Sequence, residues 1–257
     1  MDNNEMNKRI LDCTNEFLYA ASILLRGFVT CNNDSFKSKH PILLTGINPS
    51  FPVGENAHPG VVEPFFFANA VEDDKSNGHW GKKRRQFGDL YKEMAYLDLF
   101  PIRETDQLVF EKTFRSMLEL RSRLLSITQE SIEDLAPRLI VHANRASLYY
   151  WGFVSDNPWM GYEFEPVTTD KYGDLPECMS KYDRATRFRF YRITGFSKSP
   201  LRINQEKYPI QTALEGSFFM EYVMEYRERE DIKTLYEPEE WKVIWSWVKG
   251  HTNSPDI

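Results

Sequence analysis

The sequence predicts an α/β protein with a three-layer α/β/α architecture, in which helices cover a central, mostly parallel four-stranded sheet. Short apolar runs such as 41–46 and 139–143 alternate with segments of helical periodicity. The runs are almost continuously apolar, which is typical of parallel strands buried on both faces. A chain of 257 residues suits one large domain. We therefore predict a single domain over 1–257, with a core at about 38–202 and extra helices at both ends.

Each predicted element depends on its apolar spacing and on the turn formers beside it. Residues 5–27 carry apolar side chains at helical spacing and predict an amphipathic helix. Residues 51–81 are rich in Pro and Gly, and a loop of this length inside a domain is often functional. The remaining elements are helix 82–95, strand 95–101, helix 107–127, strand 139–143, helix 145–152, an irregular segment 153–185 and strand 188–196. A helical extension at 213–250 follows, with one helix at 213–229 and a last helix that starts at Pro238.

Composition excludes several classes of function. A net charge of −6 argues against broad, charge-driven binding to nucleic acid. The three cysteines are far apart and form no C-x-x-C pair, which favours a reducing, cytoplasmic compartment. We find no apolar run of membrane-helix length, no phosphate-binding glycine motif and no histidine spacing suited to a metal. The sequence therefore predicts neither a cofactor nor a metal, and no membrane contact.

The segment Gly46-Ile47-Asn48-Pro49-Ser50 follows the first predicted strand. Ligands of open α/β sheets bind at the carboxyl ends of strands. A tight loop at this place can direct backbone N–H groups and the Asn48 side chain toward a carbonyl-rich ligand or a water molecule. The alternative is an ordinary turn, because Asn-Pro is a common turn dipeptide.

A basic run at 82–85 is the candidate footprint for nucleic acid, with Lys198 and Arg202 as further candidates. The alternative for such a run is a solvated helix start. His142 lies inside an apolar strand pattern, and we interpret it as a hydrogen-bonded core histidine.

Four stretches together resemble the uracil-DNA glycosylase superfamily. They are the Gly46–Ser50 loop, an aromatic loop before Gly-x-Trp, the helix-Pro-strand unit at 133–141, and Ser197-Lys198-Ser199-Pro200-Leu201 after a late strand. A second resemblance is to a bacterial domain family of unknown function, through Leu-Phe-Pro-x-Arg-x-Thr-Asp at 99–106. Two positions depart from the glycosylase pattern. Phe196 stands where those enzymes often carry a His, and Asp98 stands where they often carry an Asn.

The resemblance implies a base-excision glycosylase of DNA repair, which hydrolyses the N-glycosidic bond of an extruded uracil or other modified or mismatched base. Its partner would be DNA or a nucleobase or nucleotide ligand, and we assume a monomer. Asn48 would hold the water, and an ionised Asp98 would accept from a donor-rich base edge. The implied catalytic residues are Asn48 and Ser197. The implied substrate-binding residues are Gly46, Ile47, Pro49, Ser50, Phe66, Phe67, Asp98, Lys198 and Ser199.

Two alternatives remain open from the sequence. The first is a catalytically inactive module of the same fold that binds a nucleobase or nucleic acid, which the Phe196 departure favours. The second is a protein-interaction domain that uses the aromatic helix carrying Trp241, Trp245 and Trp247.

Overall fold

A computed structural model gives the fold of this chain. It describes residues 1–36, 39–52, 54–76, 78–144, 147–154, 156–180, 189–221 and 236–252. The strands are β1 (Phe28–Cys31), β2 (Ile42–Gly46), β3 (Val62–Phe65), β4 (Met94–Asp98), β5 (Leu139–His142), β6 (Tyr162–Pro166), β7 (Arg189–Phe196) and β8 (Phe218–Glu221). The helices are α1 (Asn3–Thr14), α2 (Phe67–Asp73), α3 (His79–Phe87), α4 (Gln107–Arg115), α5 (Leu118–Leu135), α6 (Leu148–Trp151), α7 (Thr169–Tyr172), α8 (Glu177–Ser180) and α9 (Pro238–His251).

The predicted α/β class is confirmed, but the central sheet has six strands in the order β4-β2-β5-β8-β7-β6, not four. The first four strands of that order are parallel to one another, whereas β7 is antiparallel to both of its neighbours, β8 and β6. A separate pair, β1 and β3, is parallel. Three of the four parallel strands, β2, β4 and β5, are therefore strands that the sequence predicted, whereas the predicted strand at 188–196 is antiparallel to its neighbours.

Alternate side chains of the strands enter two hydrophobic cores, one on each face of the sheet. Leu43, Ile140 and Phe219 belong to a core that also contains buried residues of α1, α4 and α5. Leu44 and Val141 belong to the other core, which contains buried residues of α2, α3 and α9. Burial of each such side chain contributes roughly 1.5–3 kcal/mol to folding, so helices on both faces hold the sheet.

Two predicted helices were wrong over most of their length. The first helix ends at Thr14, and the later part of 5–27 forms short 3-10 turns before β1. Within 213–229, Phe218–Glu221 is a buried strand between β5 and β7. The rest of that prediction, 222–229, lies outside the described residues. A short, continuous apolar run cannot be assigned to helix or strand from periodicity alone, and here the central sheet position decided the outcome.

The last predicted helix is confirmed and starts at Pro238, with a capping box formed by Glu237 and Glu240. Its aromatic side chains are not an exposed surface. Trp241 is fully buried, Trp245 is only 6% exposed, and Trp247 is half-buried against the Phe218 ring. Within the described ranges, no helix combines the length and apolar character needed to cross a membrane.

Candidate functional site

The loop after β2 is joined to the chain that follows β4. The amide N–H groups of Leu99, Phe100 and Glu104 donate to the carbonyls of Gly46, Ile47 and Pro49 at 3.2, 2.9 and 2.9 Å. The Ile47 side chain is 1% exposed and belongs to the core, so it offers no side-chain contact to a ligand. Gly46, Asn48 and Pro49 are half-buried and Ser50 is exposed. The loop therefore has a fixed backbone and a partly open face.

The Asn48 side chain is fixed by its amide nitrogen. Nδ2 donates to the carbonyls of Pro49, Ile102 and Glu104 at 3.0, 3.2 and 2.6 Å. Its other polar atom, Oδ1, is buried and has no hydrogen-bond partner among the described residues. A buried polar atom without a partner is uncommon in proteins and calls for an explanation. Because the amide orientation is set by three carbonyls, Oδ1 is a preorganised acceptor.

Asp98 lies beside Gly46, its register partner across β2 and β4. The Tyr96 hydroxyl donates to Asp98 Oδ1 at 3.0 Å. Burial raises the pKa of the Asp98 carboxyl to about 7, and the Tyr96 hydrogen bond and the positive charge of Lys83 oppose that rise. The carboxyl therefore exists in both protonation states near neutral pH. The expectation of an ionised, acceptor-only Asp98 is corrected accordingly.

Glycine at position 46 leaves room for this neighbour. A Cβ there would overlap Asp98 Oδ1 and lie 2.9 Å from the Tyr96 hydroxyl oxygen. Because Gly46 has no side chain, the Asp98 carboxyl can lie against the end of β2, from which the Asn48 loop begins.

Aromatic rings surround this corner of the sheet. Phe67 stacks on Tyr96 with centroids 5.3 Å apart and is only 5% exposed, so it is a core residue. Trp80 contacts both Phe65 and Tyr96, at 4.9 and 5.4 Å. Phe66 is 47% exposed. Of the two aromatic residues that were implied to bind substrate, Phe66 therefore has a ring surface available and Phe67 does not.

The motif at 99–106 builds the wall of the loop. Arg103 is buried, forms an ion pair with Glu55 and stacks over the Phe51 ring at 5.1 Å. The Thr105 hydroxyl accepts from the Phe51 N–H at 2.9 Å and donates to the Phe51 carbonyl at 2.8 Å. Asp106 caps α4 by accepting from the N–H groups of Leu108 and Val109. These residues hold the segment after Ser50.

The structure does not bring Ser197, Lys198 and Ser199 to this corner. Antiparallel β7 begins with Arg189 level with Glu221, whose register partner in β5 is His142. Ser197 lies eight residues further along the chain, roughly 27 Å from Arg189 at about 3.4 Å per residue. The prediction that both loops form one site is therefore corrected, because the loops lie at opposite edges of the sheet. The Asn48 loop lies at the edge formed by the carboxyl ends of the parallel strands, and the Ser197 loop lies at the edge formed by their amino ends.

The loop 197–201 is held by backbone and hydroxyl hydrogen bonds. The Ser197 N–H donates to the Gly161 carbonyl at 2.6 Å, and the Ser197 hydroxyl accepts from the Ser199 N–H at 3.1 Å. The Ser199 hydroxyl accepts from the Leu201 N–H at 3.3 Å, and Lys198 is exposed. Phe196 is buried and packs against the Tyr162 ring at a tilt of 31°. These contacts are typical of a surface turn.

His142 is a core residue, as predicted. It is 1% exposed, and its ring nitrogens lie 3.1 Å from the Thr45 hydroxyl and 3.0 Å from the Ser147 hydroxyl. Burial lowers its pKa to about 3, so the ring is neutral at physiological pH. In the part of the chain that the structure describes, no group of three His, Cys, Asp or Glu side chains is placed to hold a metal.

Sequence reasoning missed Tyr96 and Lys83 as site residues. Tyr96 was detectable in principle, because residues two apart on a strand share a face and Tyr96 precedes Asp98 by two. Lys83 was part of a run interpreted as a solvated helix start or a nucleic-acid footprint, yet it is only 5% exposed.

Comparisons with protein-family models, with curated proteins and with solved structures found no match to this chain.

Proposed function

We propose that the corner formed by the Asn48 loop, Asp98 and the nearby aromatic rings binds a nucleobase and hydrolyses its N-glycosidic bond. The observation that carries this proposal is the Asn48 amide, held by three carbonyls while its buried Oδ1 has no partner among the described residues. An acceptor held in this way orients an attacking water without reorganising during the reaction.

Asp98 supplies the proton chemistry in this proposal. A general acid or base works best when its pKa lies near the working pH, and the pKa of Asp98 is raised to about 7. In its ionised form the carboxylate accepts a proton or a hydrogen bond. In its protonated form it donates to a carbonyl on the base edge. The substrate class is therefore a base whose edge offers either a donor or an acceptor, uracil included.

The surroundings suit a base attached to a nucleic-acid backbone. Phe66 presents an exposed ring, and stacking on an aromatic side chain contributes on the order of 1–3 kcal/mol per base. Helix α3 starts beside the site, since its Trp80 contacts Tyr96. The same helix carries the exposed side chains of Lys82 and Arg85. These two cations are the proposed contacts to phosphate, in place of Lys198.

A second candidate is a binding module of the same fold without catalysis. It is favoured by the position of the Ser197 loop, which lies at the other edge of the sheet and cannot stabilise a departing base at this corner. Under this candidate the Asn48 corner still recognises a base, but no bond is broken.

A glycosylase assay with matched variants tests the proposal. Labelled single- and double-stranded oligonucleotides carrying uracil, hypoxanthine, xanthine or mismatches are incubated with the protein, and alkali reveals abasic sites. We expect cleavage by the wild type, a loss of about a hundredfold in Asn48→Ala because a preorganised polar contact is removed, and unchanged cleavage in Ser197→Ala.

Thermal unfolding of each variant separates a lost contact from a lost fold. Base-dependent binding without cleavage by the wild type would support the binding module. Equal loss in Asn48→Ala and Ser197→Ala, with both variants folded, would contradict the placement of the site. Neither cleavage nor binding would overturn both candidates.

A further inference from the structure

A cleft of about 520 Å³ lies between α4, the first turn of α5 and the segment 157–159, and its lining residues are different from those of the Asn48 corner. Its lining includes the buried Arg121 and Trp159 together with the more exposed Arg115, Glu111 and Leu118. This volume falls within the range of small-molecule sites. The proposed glycosylase chemistry uses none of these residues.

Arg121 is an unusual residue for the wall of a cleft. It is 5% exposed, and its guanidinium lies over the rings of Tyr150 and Trp159 at 5.2 and 5.0 Å from their centroids. One terminal nitrogen donates to the Tyr150 hydroxyl. Its Nε–H is buried and has no partner within the described ranges. Burying a cation with an unused hydrogen-bond donor costs folding free energy unless an anion accepts that hydrogen bond and balances the charge.

Trp159 contributes a second unused donor. The residue is 6% exposed, and its indole Nε1–H is buried without a partner among the residues described. Its backbone has a φ of 30°, which is strained for a non-glycine residue. Backbone strain of this kind persists only where the surrounding structure fixes the residue, and it is concentrated at active sites and ligand sites. The residue that carries the strained backbone and the orphan N–H therefore lies directly against the Arg121 guanidinium.

Further polar groups of the cleft define the ligand. The Asn157 amide donates to the Tyr149 hydroxyl at 2.8 Å, so the hydroxyl proton of Tyr149 is available for another acceptor. Arg115 is exposed, and Glu111 is half-buried with a carboxylate oxygen 3.4 Å from the Tyr150 hydroxyl. Two arginines and one glutamate leave a single net positive charge.

We propose that this cleft binds a small molecule through one carboxylate group. The unsatisfied Nε–H of Arg121 and Nε1–H of Trp159 both require an acceptor, and a carboxylate oxygen accepts from an arginine with good geometry. A single negative charge balances the cleft, whereas a phosphate dianion would exceed that balance and face Glu111. The side chain of Leu118, 60% exposed, supplies an apolar surface for the body of the ligand. An aromatic or branched aliphatic carboxylate fits these features.

Titration of the full-length protein with benzoate tests the proposal. The ¹H–¹⁵N signal of the Trp159 indole is identified by its absence in Trp159→Phe, and its shift reports binding. We expect benzoate to move this signal in a saturable way, while inorganic phosphate and benzylamine do not. Calorimetry should show benzoate affinity reduced about tenfold in Trp159→Phe, which keeps an aromatic ring but lacks the N–H donor.

Arg121→Lys should also reduce the affinity about tenfold or more, because lysine retains the charge and loses the planar donor set. Arg123→Lys, on the exposed side of α5, is the matched control and should not change it. If Arg121→Lys fails to fold, Trp159→Phe alone decides the result. Any one of three results would overturn the proposal. They are binding of phosphate in place of benzoate, an unchanged benzoate affinity in Trp159→Phe, and the absence of a saturable shift of the indole signal.

Discussion

The two edges of the central sheet use polar residues in different ways. At the carboxyl edge of β2 and β4, Asn48 keeps an unpartnered oxygen among the described residues, and Asp98 titrates near pH 7. At the other edge, the carboxylate of Glu133 accepts from the Tyr162 hydroxyl, the Thr212 hydroxyl and the Ala213 N–H at 2.8, 2.6 and 2.7 Å. Polar groups with full hydrogen bonding hold a structure together, whereas incompletely bonded groups remain available for chemistry.

The largest effect is expected from a substitution that breaks the hydrogen-bond network around Glu133. Glu133→Ala leaves two buried hydroxyls and one N–H without their acceptor. An unsatisfied buried group costs about 1–3 kcal/mol, so we expect the free energy of unfolding to fall by about 3 kcal/mol. Chemical denaturation measures it. The matched control is Glu119→Ala, whose exposed ion pair with Arg123 should contribute less than about 1 kcal/mol.

Glu133→Ala also tests whether the two edges of the sheet have separate roles. We expect folded Glu133→Ala to bind and cleave base-containing oligonucleotides as the wild type does, because Glu133 supports only the distant edge. A variant that stays folded but loses this activity would show that the two edges act together.

The difference between the edges also shows how far the sequence could predict this molecule. The strands β2, β4 and β5 and the loop after β2 were predictable, because apolar runs ending in turn formers identify them locally. The position of the Ser197 loop was not predictable, since it depends on the direction of β7. That direction follows from β8, whose apolar run Phe218–Glu221 is too short to distinguish from a helix by pattern.

The chemistry of the candidate site was partly predictable. Asn48 could be named from its place after an apolar run, and Asp98 from the resemblance to the glycosylases. The protonation of Asp98 and the orientation of the Asn48 amide could not be predicted, since both depend on neighbours that are distant in sequence. Likewise, no sequence pattern showed that Trp159 would lie over Arg121.

A smaller effect is expected from Asp98→Asn at the carboxyl edge. The pKa of Asp98 rises from 3.8 in the unfolded chain to about 7 in the fold. Between these values the folded state binds more protons, so the free energy of unfolding should decrease as pH rises through this window and level off above about 7. Each pKa unit corresponds to about 1.4 kcal/mol, and partial exposure reduces the sum, so we expect an effect of about 1–2 kcal/mol.

Because the amide introduced by Asp98→Asn is neutral at every pH, this variant should lack the slope and be the more stable protein above pH 7. Denaturation at several pH values compares it with the wild type. Asp106→Asn is the control, since asparagine caps a helix as well as aspartate does, and its pH profile should follow the wild type. An unchanged slope in Asp98→Asn would mean that the carboxyl is not desolvated, and the role proposed for it would fail.

The smallest expected effect concerns the wall of the Asn48 loop. Thr105→Val removes both hydrogen bonds between the Thr105 hydroxyl and the Phe51 backbone. Water replaces them at this exposed position, so the free energy of unfolding should fall by only about 0.5 kcal/mol. Hydrogen exchange of the Phe51 amide should nevertheless accelerate, and base binding should weaken if the order of the loop matters for recognition. Thr113→Val in α4 is the matched control and should leave both unchanged. Unchanged exchange at Phe51 would show that Arg103, which stacks on the Phe51 ring, holds the loop without help from Thr105.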